Sequence, residues 1–230
     1  MNIAVICARG GSKRFPDKHL QIIRGKHLIA YSILLAKKSK LLDRIIVSTD
    51  SEQIARVAEE YGAEVIKRPA SLAGDASAID DAYRHAVHEI EKSGKKVEIL
   101  VGMQGNCIVL EPVDIIDRCI SKLIKENAES VVTLIEVKEH PFWTKIIRDN
   151  RVVPFYPTDI YRNQDLPKMY RLDGSVDAIR RDVLMNPKNR GGLHKYLGTN
   201  MQGILIKENK SVEIDTMSDF KLANMFLNES

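Results

Sequence analysis

Residues 2–8 (NIAVICA) run apolar from Ile3 to Ala8 without interruption, and the next ten (RGGSKRFPDK) are polar, glycine-rich and cationic. A short unbroken apolar run bounded by glycines predicts a strand buried on both faces, as in a parallel sheet with helices over each side. Residues 27–39 (HLIAYSILLAKKS) carry apolar positions at helical spacing and end in cations, which suits a helix C-terminus. RIIVSTD at 44–50 predicts a second buried strand. Its exit, Ser48-Thr49-Asp50-Ser51, supplies an N-cap for a helix over SEQIARVAEEYG that Gly62 closes. The same patterns predict strands at 63–66, 97–103 and 130–136, with helices near 78–93 and 113–126.

Strands alternating with helices over roughly the first 135 residues imply βαβ crossovers and a parallel sheet covered on both faces. Ligands of such sheets lie outside the carboxyl ends of the strands. Here those ends are Arg9–Lys18, Ser48–Asp50 and Gln104–Cys107, three segments converging on one crevice. After residue 137 the rhythm breaks. Residues 138–175, rich in proline, aromatics and charge, predict an excursion of strands and loops that leaves the main body. The sheet resumes with VDAI and GILIK, and MSDFKLANMFLNE (217–229) closes the chain as a helix. The expectation is one domain over 1–230 with an insertion at 138–175.

Bulk properties narrow the class. The 230 residues are 44% hydrophobic and 29% charged, ordinary for a soluble globular protein. Thirty-five basic residues against 31 acidic give a net charge of +4, too slight an excess to point to nucleic acid. Cys7, Cys107 and Cys119 lack paired or metal-like spacing and indicate a reducing compartment. No apolar run approaches a membrane span and no signal-peptide pattern opens the chain, so a cytoplasmic protein without membrane contact is expected.

The first loop carries the chemistry. A phosphate-loop nucleotidase needs two glycines five apart followed by Lys-Ser or Lys-Thr; here the glycines are adjacent and the order is Ser12-Lys13. A dinucleotide fold needs spaced glycines opening a helix, which Pro16 prevents. What remains is a run of backbone amides with Arg9, Lys13, Arg14 and Lys18, suited to a polyphosphate. A solvated basic turn is the competing reading.

ICARGGSKRFPDKH resembles the N-terminal signature of the CMP-sugar synthetases, cytidylyltransferases that activate sialic acid and related acidic sugars. The resemblance continues through RIIVSTDSEQIARVAEEYGAEVIKRPASLAGDAS and in SVEIDTMSDFKLA near the C-terminus. It implies a Rossmann-like nucleotide-diphospho-sugar transferase fold, an α/β architecture with a mainly parallel sheet between helices. It also implies transfer of CMP from CTP to an acidic sugar, with release of pyrophosphate. By position, Arg9 and Lys18 belong at the phosphates and Arg68 and Ser77 near the cytidine. The backbone from Ala8 through Gly10 and Gly11 to Ser12 helps read the nucleotide. Gln104, Asn106, Lys145, Arg171 and Asp173 fall on the sugar side.

Glu213 and Asp215, two apart in SVEIDT, project to one face if that segment is extended. Paired carboxylates repel and call for a cation, and the resemblance assigns this place to Mg²⁺ or another divalent ion bridging to phosphate oxygens. A solvated strand edge followed by a helix cap is the alternative, with Asp219 facing Thr216. The resemblance makes the 138–175 excursion a homodimer arm, with Phe142, Trp143, Phe155, Tyr156 and Tyr161 as interface residues.

Several positions depart from the family. Gln104-Gly105-Asn106-Cys107 replaces a Gln-Pro-Thr-Ser segment and looks more like the Gln-Gly-Asp of the ketodeoxyoctonate branch. His19 stands where Asn is usual, Glu213 where Asp is commoner, and Asp177 where a tyrosine often lines the sugar pocket. Asp173 and Asp177 bring negative charge towards an acidic substrate, a cost that an amine on the substrate would turn into a gain. The main expectation is a nonulosonate of the sialic, legionaminic or pseudaminic type. Alternatives are a ketodeoxyoctonate-like sugar or phosphonate acceptor, a guanylyl- or uridylyltransferase, and a nucleotide-binding module without turnover.

Overall fold

Strand β1 (Asn2–Cys7) shows why an unbroken apolar run is needed here. Ala4 and Ile6 point into one hydrophobic cluster while Ile3 and Val5 point into another, and all four are fully buried. The computed structural model describes residues 1–228. A two-residue hairpin, β2 (Ile22–Ile23) and β3 (Lys26–His27), leads into α1 (Leu28–Ala36). Then come β4 (Arg44–Thr49), α2 (Glu52–Glu60), β5 (Glu64–Lys67), α3 (Ile79–Glu91) and β6 (Ile99–Gln104). Next are β7 (Cys107–Val109), α4 (Ile115–Lys125), β8 (Ser130–Glu136) and a hairpin, β9 (Lys145–Arg148) with β10 (Arg151–Pro154). The chain finishes with β11 (Tyr170–Arg180), α5 (Arg181–Met185), β12 (Met201–Leu205), β13 (Ser211–Glu213) and α6 (Met217–Phe226).

Seven strands form the main sheet in the order β12-β8-β11-β6-β1-β4-β5. Pairing is parallel except around β11, which runs antiparallel to both β6 and β8. Side chains of α1, α2 and α4 fill one face, and those of α3 and α5 the other. From β1 the chain moves outward to β4 and β5, then returns to place β6 on the opposite side of β1. The crevice between the carboxyl ends of β1 and β6 is therefore the topological switch point, where open α/β sheets bind ligands.

Local chemistry sets the element ends. Ser51 caps α2, its hydroxyl accepting from the Ile54 amide at 3.4 Å, and Gly62 ends that turn at φ +79°. Thr216 and Asp219 form a reciprocal capping box on α6. The helix expected over 27–39 is shorter, Leu28–Ala36. The closing helix ends at Phe226, and its expected last residue, Glu229, lies outside the described residues.

The excursion is bounded differently from the expectation. Its last residues, Tyr170–Ser175, belong to the sheet as the first half of β11, with a register shift between Leu172 and Asp177. The segment before them makes the β9–β10 hairpin and loops, and no residue from 141 to 172 is buried. Phe155, Tyr156 and Tyr161 stay 54%, 47% and 83% exposed. Among the described residues no helix is long and apolar enough to cross a membrane.

Two glycines permit close packing near the switch point. A Cβ on Gly102 of β6 would meet the Tyr83 ring at 2.6 Å, so only glycine lets that tyrosine lie across the strand. Gly174, at φ +73°, takes the left-handed conformation of the β11 irregularity with the Gln104 amide packed directly against it.

Candidate active site

Two cavities meet at the switch point. The smaller, about 170 Å³, is lined by Arg9, Lys18, His19, Arg68, Ser77 and Asn106 among others. The larger, about 670 Å³, lies between α3, β11 and the loop before β12. Gln104, at the end of β6, lines both, as do Ala78 and Ile79.

The small cleft is strongly cationic. Arg68 is 7% exposed, and its guanidinium donates to the Ser48 hydroxyl (3.1 Å) and carbonyl (2.7 Å) and to the Cys7 sulfur. Among the described residues it has no carboxylate partner. A buried cation held by neutral groups alone leaves its charge uncompensated. Beside it, burial pushes the Cys7 thiol up to about 11 despite the Arg68 charge, so Cys7 is an inert packing group. Burial, with Lys18 adjacent, lowers His19 to about 4. The ring is therefore neutral at pH 7, and its buried Nδ1 has no hydrogen-bond partner among the described residues.

Arg9 and Lys13 do not stand free. Both ion-pair with Asp75, at 2.7 and 2.6 Å, an acid that the motifs did not single out although it lies within LAGDAS. Lys13 first and Arg9 second hold the Asp75 carboxyl below its ordinary value. Asp75 is exposed, so these two loop cations share one surface carboxylate.

The expectation for the loop amides needs correction. The Ala8 amide donates to the Ser48 carbonyl (3.1 Å), because the β1–β4 ladder continues one residue past the strand. The Gly10 amide donates to Asp50 Oδ1 (2.8 Å). Ala8 and Gly10 therefore shape the turn, and the Arg9, Gly11 and Ser12 amides are the ones without a partner among the described residues.

At the other wall, Lys18 Nζ donates to Asp215 Oδ1 at 2.8 Å, and Arg14 lies 3.8 Å from Oδ2. Burial works to raise the Asp215 pKa, but Lys18 and Arg14 bring it below the ordinary value. Burial raises Glu213, and the Asp215 charge adds to it. The expected helix-cap chemistry is present too: Asp219 Oδ2 accepts from the Asp215 and Thr216 amides at 3.1 and 2.8 Å, fixing the backbone of Asp215.

Three residues expected at the sugar have other places. Asn106 is buried, donates to the Ile214 carbonyl (3.0 Å) and Asp215 Oδ1 (3.2 Å), and receives the Ile214 amide (2.9 Å). It staples the acidic segment to the end of β6. Asp173 is 3% exposed and spends its carboxylate on Thr133, the Ser175 amide and hydroxyl, and the Ser211 hydroxyl. It is the centre of a closed polar network beneath the cavity. Lys145 lies exposed on the β9 hairpin and lines neither cavity. Gln104 and Arg171 do line the larger cavity, together with Glu213.

This arrangement can neutralise a polyphosphate along Arg9, Lys18 and the Gly11–Ser12 amides while a second molecule enters from the larger cavity past Gln104. A family model described as cytidylyltransferase matches residues 3–226. The chain belongs to the cytidylyltransferase family. This cytidylyltransferase is 30% identical to post-translational flagellin modification protein B of Campylobacter coli, over 99% of its own length and 95% of the relative's. It is 31% identical to a CMP-N,N'-diacetyllegionaminic acid synthase of Campylobacter jejuni, over 98% and 94% of the two chains. A solved CMP:2-keto-3-deoxy-manno-octonic acid synthetase complexed with CTP superposes with a TM-score of 0.75 at 18% identity, covering 99% of this cytidylyltransferase and 98% of that chain. That likeness supports the fold.

Proposed function

We propose that this cytidylyltransferase transfers CMP from CTP to a hydroxyl of an acidic nonulosonate of the legionaminic, pseudaminic or sialic type. The acceptor oxygen bonds to the α-phosphorus, the bond from that phosphorus to the bridging oxygen breaks, and pyrophosphate leaves. The observation that carries the reading is Gln104 standing between a cationic cleft and a separate, larger cavity. One chamber suits a nucleoside triphosphate and the other an acceptor.

Each residue does identifiable work. Arg68 supplies a buried charge to the nucleoside end, with neutral His19 as a hydrogen-bonding neighbour. Arg9 and Lys18 neutralise the phosphates and the charge that grows on departing pyrophosphate, the electrostatic stabilisation that dominates such transfers. Arg171, exposed at the rim of the larger cavity, meets the acceptor's carboxylate. Gln104, braced against Gly174, orients the acceptor at the junction.

Mg²⁺ fits the donor set. Glu213 and Asp215 present hard carboxylate oxygens to one shared depression, and the Asp215 charge adds to the cost of ionising Glu213. Among the described residues no three His, Cys, Asp or Glu side chains converge on one point. A cation there takes its remaining ligands from phosphate and water, as Mg²⁺ commonly does. When bound, it supplies Lewis-acid polarisation of the reacting phosphate.

The test is pyrophosphate release with Mg²⁺, crossing the four nucleoside triphosphates with nonulosonic acids, ketodeoxyoctonate and phosphonates. Release with CTP and a nine-carbon acid is expected. Release only with another acceptor moves the substrate and keeps the chemistry, whereas CTP binding without turnover on any acceptor sinks the enzyme reading.

A homodimer is part of the same proposal. Residues 141–172 expose Phe155, Tyr156 and Tyr161 in the loop after the β9–β10 hairpin, and aromatics anchor interfaces. Light scattering is expected to give two chains per particle, and Phe155→Arg to shift the mass towards one. A monomeric parent protein would remove this part. The cytoplasm, where CTP is made available, is the proposed location.

A further inference from the structure

Resting on the reading of the larger cavity as the acceptor site, we propose that Asp177 determines acceptor specificity by selecting acidic sugars with a cationic nitrogen substituent remote from the reacting hydroxyl.

Asp177 pairs in register with Gly102, two residues before Gln104. Two residues of strand put it about 6.6 Å deeper than the junction of the cavities. It therefore faces the far part of an acceptor, away from the phosphates. Gly102 offers no side chain, so Tyr83 lies across it, and the Tyr83 and Tyr196 rings meet edge-on at 6.2 Å. The floor of the cavity is thus two tyrosines and one carboxylate.

That carboxylate is under-partnered. The Tyr196 hydroxyl donates to Asp177 Oδ2 at 3.1 Å, while Oδ1 has no partner among the described residues. Asp173 is satisfied by four donors and Asp80 of the cavity wall by Arg84, whereas Glu213, the other acid lining the cavity, has no side-chain partner among the described residues. Among the described residues no cation pairs with Asp177. A hydroxyl from the sugar would fill one hydrogen bond and leave the charge; a cationic nitrogen fills the bond and cancels the charge. The cavity is polarised accordingly, with Arg171 at the rim and Asp177 at the floor. It complements a zwitterion whose carboxylate stays at the rim.

The groups facing Asp177 are Tyr83 from α3 and Tyr196 and His194 from the loop before β12, with Asp173 on its own strand and Cys119 of α4 buried on the other face of the sheet but within reach of its charge. Asp80, paired with Arg84, Glu213 and Arg171 complete the charged surroundings. Burial lifts Asp177 to about 7, the Tyr196 hydroxyl opposes the rise, and the Asp173 charge adds to it. Ionisation, and with it attraction for a cation, therefore appears as pH rises through about 7.

The experiment compares matched nonulosonic acids bearing acetamido or guanidino groups at each nitrogen-bearing carbon in turn. The two groups have similar planar shape, and guanidinium keeps its charge across the pH range used. At pH 8 one guanidino acid is expected to exceed its acetamido partner in kcat/KM by about 10- to 100-fold. That ratio should fall towards one below pH 6, and Asp177→Asn should remove both the preference and its pH dependence. Because His194 remains in that variant, a surviving pH dependence would assign the effect elsewhere and overturn the proposal. Should Asp177→Asn fail to fold, the pH profile of the parent ratio decides, and a flat ratio overturns it. Turnover of acetamido acids with no guanidino preference refutes the role of Asp177 while leaving cytidylyl transfer intact. No release from CTP with any acid removes both readings together.

Discussion

Asp215→Asn is expected to lower pyrophosphate release by about 10²- to 10³-fold at saturating CTP and acceptor, with metal-free CTP affinity changed less than about 10-fold. Asparagine keeps the shape of the side chain and its place between Lys18 and Asn106. Its backbone anchor to Asp219 Oδ2 is independent of the side chain. What is lost is the negative charge that, with Glu213, would hold a divalent cation against the phosphates. An amide is a poor substitute as a hard-cation ligand, and several kcal/mol of charge stabilisation is the usual contribution of such an ion. Rate assays over a Mg²⁺ titration, paired with calorimetric CTP binding in chelator, make the measurement. Activity within about 10-fold of the parent at all Mg²⁺ concentrations would show that the Asp215 side chain serves only to hold Lys18 and Asn106.

The alternation of Ile3, Ala4, Val5 and Ile6 between two cores explains why the fold was legible. Period two in a fully apolar run has one economical solution, a strand between two helical layers. Ser51 and Gly62 likewise mark α2 by chemistry that acts within a few residues. Arg9, Lys18, Arg68 and Gln104, named by their place in the motifs, do come together around one cleft. The site was not legible where occupancy depends on strand register. The Ala8 amide is consumed by Ser48 only because the β1–β4 ladder runs one residue further. Asn106 reaches Asp215 across 109 positions through the β7–β13 pairing, which no local pattern announces. Asp173 is the same residue type as Asp177 and lies four residues away on the same strand, yet it falls among hydroxyls and Asp177 falls on an open cavity. The register shift within β11 separates them, and sequence spacing does not reveal it.

Lys18→Met separates two roles that the geometry superimposes. Lys18 lines the small cleft and also pairs with Asp215 at 2.8 Å, with only 15% of its side chain exposed. As a phosphate contact, its loss is expected to lower kcat/KM for CTP by about 10²- to 10³-fold, the cost of removing a charged donor from a transition state. As the counter-ion of Asp215, it competes with any cation for the same oxygen. Its loss is therefore expected to lower the Mg²⁺ concentration that gives half-maximal rate, even as the maximal rate collapses. A lysine that merely propped Asp215 in place would give the reverse: a higher Mg²⁺ requirement and a rate restored by saturating metal. Lys18→Arg discriminates further, because it keeps the charge but replaces a compact ammonium with a forked group. Partial recovery of rate with a parent-like Mg²⁺ requirement is expected, and full recovery of both by methionine alone would dismiss Lys18 from the chemistry.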